Sequence, residues 1–294
     1  MSVRKAVIAV AGYGTRFLPG TKVVPKELLS VVDKPIIQYL VEEAVHAGIR
    51  DIILVAREGT QQIADHFDSR RALEAHLLEQ GKTKFLEKVR ETATMANVAL
   101  VRQTTDLPYG NGSPILAARE FLGADEPFAY MFGDDMVMSN QPCIGQLKEL
   151  YEKHQPAAVL AAQEVPEAET KRYGIAQIKD GTNPAELDSI IEKPAPGQAK
   201  GRLAQLGRFV LSARIIEHLA AIKPGPGEEL YLTDAIHSLS QRDRVLVHPI
   251  EGTWYTTGDP LRFLKTNIEY SLRDPEIGRD VAEYLASLDL SQFK

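Results

Sequence analysis

A single cysteine, Cys143, stands in a chain of 294 residues. It excludes an intrachain disulfide and a multi-cysteine zinc site, and as a lone thiol it fits the core of a protein from a reducing compartment. Positive charge is also short: 34 lysines and arginines face 40 acids, for a net charge of -6. No global positive field exists to hold a polyanion such as duplex DNA, so an anionic ligand must be gripped locally. Long apolar runs are missing. Residues 6–11, 52–56 and 157–162 fall far below the ~18 that a membrane span needs, and the first run follows Arg4-Lys5 without a signal-peptide h-region. The expectation is a cytoplasmic protein with neither membrane nor nucleic acid as partner. The histidines form no His-x-x-x-His pair and no Gly-x-Ser-x-Gly element occurs, which gives no support to a zincin or to an acyl-transfer serine. Repeats and low-complexity linkers are absent as well.

What is present is ordinary: 44% hydrophobic and 25% charged residues, enough to bury a sizeable core in one large domain or two. Residues 5–11 read as a buried strand that stops at Gly12-Tyr13-Gly14-Thr15-Arg16. Pro19 and Pro25 forbid a helix directly behind the glycines, whereas Asp33-Lys34-Pro35 offers a cap and first-turn proline for a helix over 36–47 that Gly48 ends. Further buried strands are expected at 51–56, 97–103 and 127–132. Helices are expected at 60–67, at 71–91 with a break near Gly81, and at 114–122. Strands alternating with helices imply a parallel sheet covered on both faces. Beyond that, strands crowd together at 157–163, 175–178, 189–192 and 205–211. Helices follow at 213–220 and 230–240, a strand at 244–250, and helices at 261–272 and 281–288. This half suggests antiparallel strands added to the same sheet. The proline-glycine stretches at 194–197 and 224–227 read as turns within one domain.

The glycine loop lacks the third glycine of a dinucleotide fingerprint, because Phe17 stands there, and lacks the Gly-Lys-Ser/Thr of a P-loop. Gly-x-Gly after a strand is by itself a tight turn. Its surroundings add meaning: Arg16, Lys22 and Lys26 lie between Gly12 and Glu27 with that glutamate as the only acid. Three cations beside bare backbone amides suit a triphosphate. Asp134-Asp135 follow the strand at 127–132 and are expected to open into a loop at the carboxyl edge of the sheet. Open α/β sheets bind ligands at that edge, and carboxylates there suit Mg²⁺ on phosphates. Glu192-Lys193-Pro194 pairs a hydroxyl acceptor with a cation, the two groups that a sugar phosphate asks for. Gln103 and Gly110-Asn111-Gly112 read as a turn near an amide able to match a nucleobase edge.

The stretches Ala11-Gly12-Tyr13-Gly14-Thr15-Arg16-Phe17-Leu18-Pro19, Pro25-Lys26-Glu27 and Val32-Asp33-Lys34-Pro35-Ile36-Ile37-Gln38-Tyr39 together resemble the bacterial UTP-glucose-1-phosphate uridylyltransferases. The likeness continues through His66-Phe67-Asp68, Arg102-Gln103, Tyr173-Gly174, Glu192-Lys193-Pro194, Gly207-Arg208-Phe209-Val210-Leu211 and Leu232-Thr233-Asp234-Ala235-Ile236, from Lys5 to about Asn267. It implies an α/β, Rossmann-like, mostly parallel mixed sheet flanked by helices, the sugar nucleotidyltransferase fold, with added antiparallel strands. It implies one domain over 1–294: a nucleotide-binding part to about 156, a sugar-phosphate part from about 157 to 267, and a C-terminal helical segment over 268–294. Carried over, Arg16, Lys26 and Lys193 are the catalytic cations, and Ala11, Gly12, Gly14, Thr15, Glu27, Gln103 and Gly110 bind the nucleotide. Gly174, Glu192, Lys193 and Gly207 bind the sugar phosphate, and Asp134 holds Mg²⁺. UTP and glucose 1-phosphate are the implied substrates, and a homo-oligomer the implied assembly.

Three departures bear on these expectations. The family usually has Gly-Leu-Gly-His-Ala where this chain has Gly110-Asn111-Gly112-Ser113-Pro114, so dTTP or CTP stays open beside UTP. It usually has Tyr-Asp-x-Gly where this chain has Tyr255-Thr256-Thr257-Gly258, which removes an aspartate able to give a second metal contact. Gly133 replaces a proline before the metal aspartate. A metal-dependent glycosyltransferase has no use for Arg16 and Lys26 around a triphosphate. A nucleotide-sugar binding protein without turnover remains an alternative that Thr256 allows.

Overall fold

The computed structural model describes residues 1–195 and 197–293. Of the proline-glycine stretch at 194–197, Pro196 lies outside the described residues. Thirteen strands follow one another as β1 (Lys5–Val10), β2 (Ser30–Val31), β3 (Lys34–Pro35), β4 (Asp51–Ala56), β5 (Asn97–Arg102), β6 (Phe128–Phe132), β7 (Asp135–Met138), β8 (Ala158–Glu164), β9 (Gly174–Ile178), β10 (Leu187–Glu192), β11 (Leu203–Leu211), β12 (Val245–Pro249) and β13 (Thr253–Thr256). Among the described residues the ten α-helices are α1 (Ile36–His46), α2 (Gln62–Asp65), α3 (Arg71–Glu79), α4 (Thr83–Thr94), α5 (Ser113–Ala118), α6 (Cys143–His154), α7 (Ile215–Ala221), α8 (Leu232–Ser240), α9 (Pro260–Leu272) and α10 (Gly278–Ser287).

Nine strands make one sheet in the order β10-β9-β11-β6-β1-β4-β5, with β8 on β11 and β12 on β8. β6, β1, β4 and β5 are parallel, as the helix-strand alternation predicts, and β8, β9 and β10 join through antiparallel pairings centred on β11. Period-two alternation gives each strand two faces, and in the central strands both are buried. In β1, Ala6, Ile8 and Val10 pack under α1 and α6, while Val7 packs on the other face under α5, α7 and α8. Among the described residues no helix is long and apolar enough to cross a membrane.

Three local expectations need correction. Asp33 does not cap α1, and Pro35 is not in its first turn: Pro35 is extended at the cap position, paired as β3 with β2, and Asp33 instead pairs with Lys88 at 2.9 Å. β5 is half exposed rather than buried, because it is the edge of the sheet. Asp135 does not enter a loop but starts β7, which forms an antiparallel ribbon with β13 in the register Asp135 to Thr256. The sequence reading also leaves α6 without an assignment, although Cys143, Ile144, Leu147 and Tyr151 are buried at helical spacing.

Candidate active site

A cleft of about 380 Å³ opens at the carboxyl ends of β1 and β6 and is closed on the far side by β9, β10 and the chain before α8. The glycine loop forms its floor. Gly14 sits at φ 63°, a left-handed conformation that lets the chain reverse straight after Gly12, and its carbonyl accepts the Thr21 hydroxyl at 2.7 Å. Three short 3-10 turns then carry the chain to Lys26. Arg16 reaches across to donate to the Gly258 carbonyl at 3.2 Å, and Phe17 packs edge-on against Phe263 of α9.

The two neighbouring aspartates have different jobs. Asp134 is in the cleft with a side chain 27% exposed, and it receives the Lys26 ammonium at 2.6 Å. Its backbone carbonyl is pinned by the Thr257 amide at 2.7 Å and the Thr257 hydroxyl at 2.9 Å. Asp135 is buried with one carboxylate oxygen on the Gly207 amide at 2.9 Å. β11 shifts register between Gln205 and Phe209, which leaves that amide free of a ladder partner. Next to it, Arg208 is fully buried and held by both Glu43 oxygens, at 2.8 to 3.1 Å, while donating to the Asp135 carbonyl at 2.7 Å. Gly133 donates its N–H to the Ala9 carbonyl at 3.1 Å, a bond that a proline at this position cannot make.

Burial works against the charge on Lys26, but Asp134 and Glu27 outweigh it, and the ammonium is held well above its usual range. Burial likewise works against the Asp134 carboxylate, and Lys26 and Arg16 overcome it, so Asp134 stays ionised. Glu27 is different. Burial pushes it up to about 7 against the pull of Lys26, whose Nζ is 3.9 Å away, and neither carboxylate oxygen has a hydrogen-bond partner. Asp135 is pushed up to about 6, by burial and then by the neighbouring Asp134.

On the opposite wall, Glu192 ends β10 and lies 3.6 Å from the Lys193 ammonium. Lys193 has φ 43°, a left-handed conformation that costs a residue with a β-carbon roughly 1 kcal/mol, and it sets the ammonium over the Tyr231 ring at 5.0 Å. Gly174 packs so closely that a β-carbon there would lie 3.2 Å from a Glu192 oxygen.

Of the residues expected from sequence, Ala11, Gly12, Arg16, Lys26, Glu27, Gln103, Gly110, Asp134, Gly174, Glu192 and Lys193 line this one cleft. Gly14, Thr15 and Gly207 do not line it: the first two shape the loop beneath, and Gly207 grips Asp135 from behind. Lys22, the remaining cation of the loop, is exposed outside the cleft. Sequence reasoning misses Tyr109, Arg172, Gln205, Tyr231 and Trp254 as lining residues. Nothing in their local sequence marks them, since separate loops and strands bring them together.

Among the described residues no three His, Cys, Asp or Glu side chains form an all-protein metal cage. Mg²⁺ bound to phosphates asks for less, one or two carboxylates with the rest supplied by phosphate and water oxygens. Asp134, exposed to the cleft beside the partnerless Glu27 oxygens, fits that need. Thr256 also lines the cleft and brings a hydroxyl rather than a second carboxylate.

A family model described as Nucleotidyl transferase matches residues 5–271. The chain is 46% identical over 290 residues to UTP--glucose-1-phosphate uridylyltransferase 2 of Staphylococcus saprophyticus, covering 98% of this chain and 99% of the relative. Among solved structures, a UDP-glucose pyrophosphorylase from Acinetobacter baumannii superposes with a TM-score of 0.88 at 34% identity, covering 98% of this chain and 100% of that one. The UTP-bound enzyme of Acinetobacter baumannii superposes at 0.87 with 33% identity, over 98% and 100% of the two chains.

Proposed function

This chain belongs to the nucleotidyl transferase family, and from that premise we propose that it transfers the uridylyl group of UTP to glucose 1-phosphate, giving UDP-glucose and pyrophosphate. The observation that carries the reading is the meeting of Arg16, Lys26, Asp134 and Lys193 in one cleft, since these are the charges needed by two anionic substrates. A phosphate oxygen of the sugar phosphate attacks the α-phosphorus in line, the bond to the bridging oxygen breaks, and pyrophosphate leaves. The nucleophile is already an anion, so no protein nucleophile is required. The obstacles are mutual repulsion and alignment, and fixed cations lower both.

Arg16 and Lys26 neutralise the triphosphate over the amides of the glycine loop, and Lys193 holds the phosphate of the sugar. Glu27, Gln103 and Gly110 surround the uridine, and Glu192 with Gly174 receives the hexose hydroxyls. Gly14, Thr15 and Gly207 act one layer below, keeping the loop and Asp135 in place. Asp134 holds Mg²⁺, which supplies further charge neutralisation to the phosphates when bound. Because Lys26 and Asp134 face each other at 2.6 Å, both stay charged at neutral pH in a site that would otherwise discharge them. The same reading extends to a homo-oligomer in the cytoplasm, supported by the sequence resemblance and, for the compartment, by a single buried thiol at Cys143.

Pyrophosphate release from glucose 1-phosphate with UTP, dTTP, CTP and ATP in parallel tests the reading. UTP is expected to lead. Preference for dTTP or CTP would reassign the nucleotide through the Gly110-Pro114 loop, and nucleotide binding with no pyrophosphate from any pair would leave a binding protein.

A further inference from the structure

Leu232-Thr233-Asp234 opens α8, and the activity above gives it no role. Thr233 is fully buried in the first turn of that helix and therefore cannot touch a substrate. Its hydroxyl donates to Glu192 Oε2 at 2.7 Å and receives a longer contact from the Gln205 amide at 3.5 Å. A hydroxyl has one proton to give, and an ionised carboxylate only accepts. Oε2 is thereby committed to Thr233, and Oε1, 3.6 Å from the Lys193 ammonium and beyond hydrogen-bond reach of it, is left to accept from a ligand hydroxyl. The missing β-carbon of Gly174 leaves room for the pair, for it would sit 3.2 Å from Oε2 and 3.3 Å from the Thr233 hydroxyl.

The turn that carries Thr233 is anchored on the other side of the cleft. Asn111 Oδ1 accepts the Leu232 amide at 2.7 Å, Leu230 donates to the Tyr109 carbonyl at 2.7 Å, and Gly112 donates to the Leu230 carbonyl at 2.9 Å. Asn111 is itself held through its carbonyl by the hydroxyl of the buried Tyr130 at 2.5 Å. A helix start needs acceptors for its free amides, and here a residue of the base-side loop supplies one.

We propose that the first turn of α8 is a positioning element for the hexose: Thr233 aims the Glu192 carboxylate, and Asn111 fastens that turn to the loop beside Gly110. Without the Thr233 hydroxyl, Oε2 loses its hydrogen bond, and the carboxylate is left to the pull of the Lys193 ammonium, already 3.6 Å from Oε1. The proposal rests on Glu192 receiving sugar hydroxyls. Its test is therefore a binding measurement that does not require turnover.

Calorimetric affinities for UDP-glucose and for UDP are compared in the unsubstituted protein and in Thr233→Val, Thr233→Ser and Asn111→Leu, with thermal melting to check folding. Loss of one hydrogen bond to a charged group predicts UDP-glucose affinity about tenfold weaker in Thr233→Val, about threefold weaker in Asn111→Leu and near normal in Thr233→Ser, with UDP affinity within about twofold in both Thr233 variants. Should Thr233→Val fail to fold, Thr233→Ala asks the same question without altering the nucleotide-side loop. Equal weakening of UDP and UDP-glucose, or none, overturns the proposal. No UDP-glucose binding by the unsubstituted protein would instead overturn the activity beneath it.

Discussion

The two walls of the cleft, which we propose meet the nucleotide and the sugar phosphate, are built by different means. The first stands on parallel strands β1 and β6, and its grip is an ion group, Lys26 with Asp134 and Glu27, drawn from one loop and one strand end. The second stands on strands β9 and β10, joined antiparallel, and on the start of α8, and it presents the Glu192 carboxylate, bonded to the Thr233 hydroxyl, beside Lys193. A wall that meets a triphosphate needs charge, and opposite charges close together can be kept ionised although buried. A wall that meets neutral hydroxyls needs direction, which hydrogen bonds supply. The two are joined by β11, which pairs with β6 and β9 and carries the buried Arg208, bonded to Glu43 on α1 and to the Asp135 carbonyl at the start of β7.

Breaking that joint has the largest expected effect on stability. Arg208→Met leaves Glu43 inside the protein without its partner, and equilibrium unfolding in urea should show a loss of roughly 3 to 5 kcal/mol. A loss under 1 kcal/mol would mean that the walls are held independently of it.

Next come the two cations. Lys26→Ala and Lys193→Ala should each lower turnover by ~10²-fold or more. They should part in binding: UTP affinity by calorimetry falls with the first and is nearly kept with the second. Near-normal turnover in both would remove the division between the walls. Asp134→Asn belongs with the nucleotide wall and should abolish the rise of activity with Mg²⁺, whereas full rate at ordinary Mg²⁺ would take it out of the metal site.

A smaller effect separates Glu27 from Asp134. Its folded pKa of about 7 is raised from 4.5, so the folded protein takes up a proton that the unfolded chain does not hold between these values. Stability from this group is full below pH 4.5 and is lost as pH rises through 7. Glu27→Gln should match the unsubstituted protein near pH 4.5 and exceed it in melting temperature at pH 8. Equal melting at both pH values would show that Glu27 is not held in a charge-hostile place.

The two walls also differ in how far they can be read from sequence. Ala11 to Glu27 is nearly continuous, and its glycines and cations announce an anion site before any folding is known. Strands β1, β4 and β6 are legible for a similar reason, since buried parallel strands are nearly continuous apolar runs. β7 is not, because Asp135-Met136-Val137-Met138 is too short to show a pattern, and only the pairing with β13 makes it a strand. Thr233, Gly174 and Glu192 are distant in sequence and meet only through β9, β10 and α8. Asn111 reads locally as a turn residue, and its bond to Leu232 spans 121 positions. The different fates of Asp134 and Asp135 are equally illegible, since the amide that claims Asp135 comes from Gly207.

If one cleft forces two repelling anions together, pyrophosphate release measured with UTP and glucose 1-phosphate together, and with each alone, must show it. Release that requires both substrates, with one UDP-glucose formed for each pyrophosphate, is the predicted result. Release from UTP alone at the same rate, or none with both present and Mg²⁺ supplied, would contradict it.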